Sequence, residues 1–178
     1  YPTGLTVHGG YLYFRADDGT TGSELWRTNG TGTERVADLN PGPPSSSPTS
    51  LTSLGEHLYF AAHEPAAGTE LWRTDGTTTE LVMDIYPGAT SSGPGPMTRL
   101  GDRLFFSATT PGEGTEPWST DGTTTAIVMN IAAGASPSYP GNFTEFGGYL
   151  YFGASNAQGN ELWRTNGTMT NQMLDIRP

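Results

Sequence analysis

The chain has 178 residues, of which 18 are acidic and eight are basic, and its formal net charge is −10. The basic residues are all arginines and do not cluster, which argues against nucleic acid and anionic membrane surfaces as partners, because both require grouped positive charge. Cysteine is absent and no apolar run approaches 18 residues, which argues against disulfides, thiolate metal sites and membrane insertion.

Four copies of one sequence pattern fill the chain. Each copy contains a phrase of the type ELWRTDGT, and the four tryptophans lie 46, 46 and 45 residues apart. We place the repeats at about 1–47, 48–94, 95–139 and 140–178, joined by linkers rich in proline, glycine and serine. The sequence therefore predicts a single repeat domain, 1–178.

Each repeat predicts four short strands in the same order. In the first repeat these are LTV, YLYFRA, ELWRT and ERVADL, which are rich in β-branched and aromatic residues and are bounded by glycine and Asx. Asn-Gly or Asp-Gly follows the third strand of each repeat. This dipeptide predicts a hairpin with a type I′ turn, in which both central residues have positive φ. The serine-rich linkers are expected to be flexible connections.

A four-stranded antiparallel unit that recurs every ~46 residues is typical of a β-propeller blade. The predicted fold is therefore all-β, a four-bladed β-propeller built from four repeats. The alternative is an open or multi-chain arrangement, in which this segment forms part of a larger ring. A β-solenoid is less consistent with the sequence, because its rungs are usually shorter and lack Asx-Gly hairpins.

The phrase ELWRTDGT at 70–77, between GEHLYFAA and ELVMDIYPG, resembles the ELWxxDGTxxGT tandem-repeat family of bacterial secreted and surface proteins. The resemblance covers the whole chain. It implies β-propeller-like repeats, an extracellular or cell-surface location and a role in adhesion or recognition, and it supplies no catalytic residues. The family pattern has two more residues before its second GT, so the hairpin is expected to be tighter here.

Few residues suggest catalysis. The histidines His8, His57 and His63 occupy different positions of the first two repeats, and the GxSxG, HExxH and phosphate-loop motifs are absent. Asp17-Asp18-Gly19 is only a fragment of a calcium loop. We therefore expect no enzymatic activity, no cofactor and no metal site specified by the sequence.

A glutamate lies two residues before each tryptophan, which places both side chains on one face of a strand. Carboxylate and indole together suit a sugar ligand, so these pairs are candidate ligand-binding residues. The alternative is structural: tryptophans that pack between blades and glutamates that bind backbone N–H groups. The candidates are Glu24, Trp26, Glu70, Trp72, Glu116, Trp118, Glu161 and Trp163, together with Tyr86 and Tyr139 in the linkers.

The sequence thus predicts a non-enzymatic, secreted binding module, with lectin-like carbohydrate recognition at repeated sites. The alternative is a structural or adhesive scaffold that binds protein partners or copies of itself. Neither hypothesis requires a cofactor.

Overall fold

A computed structural model describes residues 1–174, which form sixteen β-strands and contain no helix. No helix that could cross a membrane therefore occurs in this part of the chain. Each repeat supplies four consecutive strands, here called a blade. The strands are β1 Thr3–His8, β2 Tyr11–Asp17, β3 Ser23–Thr28, β4 Thr33–Ala37, β5 Thr49–Leu54, β6 His57–Glu64, β7 Gly68–Thr74, β8 Thr79–Met83, β9 Thr98–Leu100, β10 Arg103–Thr110, β11 Gly114–Thr120, β12 Thr125–Ile127, β13 Gly141–Phe146, β14 Tyr149–Asn156, β15 Gly159–Thr165 and β16 Thr170–Leu174.

Every blade is an antiparallel meander in which strands pair only with their neighbours in sequence. The register is the same in each blade. Its second and third strands pair a phenylalanine with the tryptophan, as in Phe60↔Trp72, and an alanine with the glutamate, as in Ala62↔Glu70. The prediction of four four-stranded antiparallel units is therefore confirmed.

The hairpin between the third and fourth strands differs from the prediction. Thr74 and Thr79 form the last pair, so the loop contains four residues rather than two. Positive φ occurs at Gly76 (+90°) but not at Asp75, which excludes a type I′ turn. The Asp75 carboxylate instead accepts hydrogen bonds from the backbone N–H groups of Thr77 and Thr78, both at 2.7 Å, and this side-chain closure permits the longer loop.

An invariant glycine at the start of the third strand, or directly before it in the first blade, allows the linker to approach the sheet closely. At Gly68, φ is +75° and a Cβ atom would lie 2.8 Å from the carbonyl carbon of Thr90. Gly22 and Gly114 meet their own linkers in the same way. Any larger residue would displace the linker backbone, which explains why glycine recurs here.

The two faces of each blade carry different residues, because side chains alternate along a strand. We call one the tryptophan face and the other the arginine face. In the second blade, the tryptophan face carries Leu58, Phe60, Ala62, Glu70 and Trp72, and the arginine face carries Tyr59, Ala61, Leu71 and Arg73.

The chain divides into two compact units, residues 1–93 and 94–178. In the first unit, the arginine face of the first blade packs on the tryptophan face of the second. Tyr13 and Leu25 form one buried cluster with Leu58, Phe60 and Trp72. This contact removes large aromatic and aliphatic side chains from water and so stabilises the unit.

The second unit repeats the arrangement. Phe152, Ala154 and Trp163, on the tryptophan face of the fourth blade, form a buried cluster with Ile131, which follows the last strand of the third blade. The Phe105 ring of the third blade also approaches the turn of the fourth, where a Cβ on Gly167 would lie 3.3 Å from it. Both units thus use the same face-to-face contact between consecutive blades.

Candidate functional site

The repeated glutamates are buried and hydrogen-bonded. The Glu70 carboxylate accepts hydrogen bonds from the backbone N–H of Ser92 (2.6 Å), from the Ser92 hydroxyl (2.6 Å) and from the backbone N–H of Ile85 (3.0 Å). Glu24 receives the same three kinds of bond from Ser46 and Leu39. The side chains of both glutamates are completely buried. These carboxylates are therefore occupied by the protein itself.

The third blade follows the same pattern. Glu116 is bound by the Ser138 hydroxyl (2.6 Å) and by the backbone N–H of Ile131 (2.9 Å). Glu161 in the fourth blade is buried as well. Its linker would begin beyond residue 174 and lies outside the described residues.

The prediction that the serine-rich linkers are flexible connections is wrong at one serine in each linker. Ser46, Ser92 and Ser138 are buried, and each lies 22 residues after its glutamate. Each holds the linker against the third strand of its own blade, because its hydroxyl and backbone N–H both bind the carboxylate. The exact 46-residue spacing of the three serines was the signal in the sequence that could have identified them.

The protonation of the glutamates reflects two opposing effects. Burial raises the pKa of Glu70 above its usual value, and the hydrogen bonds from Ser92 and Ile85 lower it in part. Burial likewise raises the pKa of Glu24, against the hydrogen bonds of Ser46. Burial disfavours the charged form, whereas donated hydrogen bonds favour it.

The tryptophans belong to the packing between blades. Trp72, Trp118 and Trp163 are buried, and Trp26 is half-buried. The indole N–H of Trp163 donates to the carbonyl of Ala154, at 3.2 Å. The glutamate–tryptophan pairs thus share a face as predicted. In the second and fourth blades that face packs on the preceding blade, so these pairs do not form the open sugar sites considered above.

The two linker tyrosines differ in their surroundings. Tyr86 is half-buried after the last strand of the second blade, whereas Tyr139 is 69% exposed with a φ of +48°. Tyr139 directly follows Ser138, and its backbone N–H donates to the carbonyl of Thr115 (3.2 Å). A ligand could reach Tyr139 without any rearrangement of the sheet.

The acidic loop of the first blade binds its own backbone. Asp18 accepts hydrogen bonds from the N–H groups of Thr20 (2.8 Å) and Thr21 (2.9 Å), which lower its pKa. Asp17 similarly binds the N–H of Gly19 (2.7 Å). Within residues 1–174, no group of three histidine or acidic side chains is arranged to hold a metal ion.

A polar cleft of about 540 Å³ lies in the second unit, at the edge of the sheets where the hairpin turns are found. We call it the turn-end cleft. The β9–β10 turn of the third blade forms one wall, and the β13–β14 and β15–β16 turns of the fourth blade form the other. The cleft is lined by Leu100, Gly101, Asp102, Arg103, Phe105, Glu145, Gly148, Asn166, Gly167 and Thr168.

Local contacts orient the polar groups of this cleft. Arg103 forms an ion pair with Asp121, with a nitrogen–oxygen distance of 2.7 Å. The side-chain oxygen of Asn166 accepts the N–H groups of Thr168 (3.0 Å) and Met169 (2.8 Å), which leaves the amide nitrogen as a donor. Sequence reasoning missed the cleft, because its walls come from turns that lie 45 to 65 residues apart, roughly one repeat or more.

The sequence matches neither a protein-family model nor a curated protein. Solved structures do resemble it. The β-propeller domain of the Trilobed protease from Pyrococcus furiosus matches with a TM-score of 0.65 and 12% identity, over 100% of this chain and 56% of that one. The chain has a β-propeller fold. Four blades account for all sixteen strands, as predicted.

Two further structures support the same fold. Pyrococcus horikoshii acylaminoacyl peptidase matches with a TM-score of 0.63 and 13% identity, over 99% of this chain and 27% of that one. A structure from a study of two prolyl endopeptidases matches with a TM-score of 0.60 and 11% identity, over 95% of this chain and 25% of that one. The propeller described here spans between a quarter and little more than half of these matched chains.

Proposed function

We infer that this propeller is a non-enzymatic binding module that recognises a hydroxyl-rich ligand of the carbohydrate class in the turn-end cleft of the second unit. The cleft offers carboxylate acceptors at Asp102 and Glu145 together with donors at Arg103 and Asn166. Sugar hydroxyls both donate and accept hydrogen bonds, so a mixed set of this kind suits them.

The charge of the protein supports a neutral ligand rather than a phosphorylated one. The chain contains eight arginines and eighteen acidic residues, so its net charge is negative. In the cleft, Arg103 already forms an ion pair with Asp121. A phosphate group would meet more negative than positive charge in the cleft. The resemblance to the ELWxxDGTxxGT repeats supports a secreted or cell-surface setting for this recognition.

Titration calorimetry on hits from a glycan array tests the proposal. Asp102→Ala should weaken binding of the sugar at least tenfold, whereas Glu56→Ala should not change it. Glu56 is the matched control because it occupies the same exposed turn position in the second blade. Absence of any sugar binding at millimolar concentration, or equal effects of the two variants, would refute the carbohydrate site.

A second candidate function is a scaffold for self-assembly. It is favoured by one observation: the tryptophan face of the first blade and the arginine face of the fourth blade expose apolar side chains whose counterparts are buried in other blades.

A further inference from the structure

The tryptophan face of the first blade is incompletely covered. Its Trp26 and Phe14 are half-buried, whereas Trp72 and Phe60 on the same face of the second blade are buried. Strand β1 adds Val7, which is 72% exposed and pairs with Leu12 on this face. The residue types are those of a blade interface, but no blade of the first unit covers them.

The arginine face of the fourth blade is incompletely covered in the same way. Leu162 is 39% exposed, whereas its counterpart Leu25 in the first blade is 1% exposed. Phe146 is 74% exposed on this face and contacts the half-buried Tyr151 ring at a centroid distance of 6.1 Å. The fourth blade therefore presents the face that, in the first and third blades, packs on a neighbour.

The two open faces are complementary kinds of surface. In both units, the arginine face of one blade packs on the tryptophan face of the next. A hydroxyl also crosses each of these interfaces between first strands. Thr6 donates to the carbonyl of Leu51 (3.2 Å), and Thr98 donates to the carbonyl of Phe143 (3.3 Å). On the two incompletely covered faces, Thr144 of the fourth blade holds the donor position and Leu5 of the first blade holds the acceptor position.

We propose that a second copy of this chain covers these faces, with the arginine face of the fourth blade of one copy packed on the tryptophan face of the first blade of the other. The contact continues the interface that already joins consecutive blades, so it requires no new chemistry. Because the contact is head-to-tail, each chain can bind one further copy at each of these two faces.

The proposal deepens the scaffold function and does not depend on the ligand cleft. Sedimentation equilibrium of the 178-residue chain should give at least twice its mass of 18.9 kDa. A monomer at every concentration would overturn the proposal.

Two variants test the interface from its two sides. Leu162→Arg alters the fourth blade and Val7→Arg alters the first, and each should weaken dimerisation about a hundredfold because it buries an unpaired charge. Met129→Arg is the matched control, since Met129 is 37% exposed and lies on the last-strand side of the third blade. An equal effect of Met129→Arg would overturn the assignment of these faces.

Mixing the variants tests the head-to-tail direction. Each variant keeps one intact face, so Leu162→Arg and Val7→Arg chains should form a mixed dimer through one contact, although neither dimerises alone. A dimer with like faces in contact would not be restored in this way, and that result would overturn the proposed geometry. Sugar binding by monomeric Leu162→Arg reports on the cleft separately, so failure of one proposal leaves the other testable.

Discussion

Substitution of Glu70 by glutamine tests whether the repeated glutamate holds the linker to its blade. The carboxylate receives three donors: one oxygen binds the N–H of Ser92, and the other binds the Ser92 hydroxyl and the N–H of Ile85. Glutamine is nearly identical in shape but has only one acceptor oxygen. In either orientation of the amide, its NH₂ group faces at least one buried backbone N–H.

The expected cost follows from this arrangement. Leaving one buried N–H without an acceptor costs about 1–3 kcal/mol, and the remaining bonds lose their charge assistance. The relief of burying a charge offsets part of this loss, so we expect Glu70→Gln to lower the free energy of unfolding by about 2–4 kcal/mol. For a chain of this length, that corresponds to a fall in Tm of roughly 5–15 °C.

Urea denaturation followed by tryptophan fluorescence measures the effect, with Glu80→Gln as the control. Glu80 lies in the same blade, but its ion pair with Arg73 is at the surface, with 49% of the Glu80 side chain exposed. Its loss should cost less than about 1 kcal/mol. If Glu70→Gln destabilises the protein no more than Glu80→Gln, the buried hydrogen bonds do not stabilise the blade and the reasoning fails.

Three other predictions concern the linker, a turn and a close contact. Ser138→Ala should lower the free energy of unfolding by about 1–3 kcal/mol, because it removes a donor to buried Glu116, whereas exposed Ser136→Ala should have little effect in the same denaturation assay. Asp75→Asn should make unfolding less sensitive to acid. The turn N–H groups lower the pKa of Asp75, so the ionised carboxylate stabilises the folded protein at pH values above the unfolded-state pKa. This stability is lost as the pH falls through the lowered pKa. A variant that is as acid-sensitive as the parent between pH 5 and 2 would contradict this. Gly68→Ala should destabilise more than Gly88→Ala in thermal melts, since both have positive φ but only the Cβ at position 68 would meet backbone, and equal shifts in Tm would disprove the steric argument.

The repeat made much of the fold predictable. Alternation along each strand correctly placed each glutamate beside its tryptophan, and the recurrence of glycine marked the turns. The predicted type I′ turn was wrong, because the side chain of Asp75 closes a four-residue loop by accepting hydrogen bonds from backbone N–H groups. The Asp-Gly dipeptide alone does not indicate these hydrogen bonds. The linker serines were missed because their partners lie 22 residues earlier in the chain.

The sequence by itself determined the four repeats, the sixteen strands and the residues that share each face, since these follow from spacing and from the two-residue period of a strand. Tertiary structure decided which faces meet other blades. The glutamates of the first three blades bind their own linkers and are buried core elements rather than sugar contacts, and this burial depends on contacts that the strand pattern does not encode. For the same reason, only the tertiary structure reveals the polar cleft at the turns and the incompletely covered faces of the first and fourth blades.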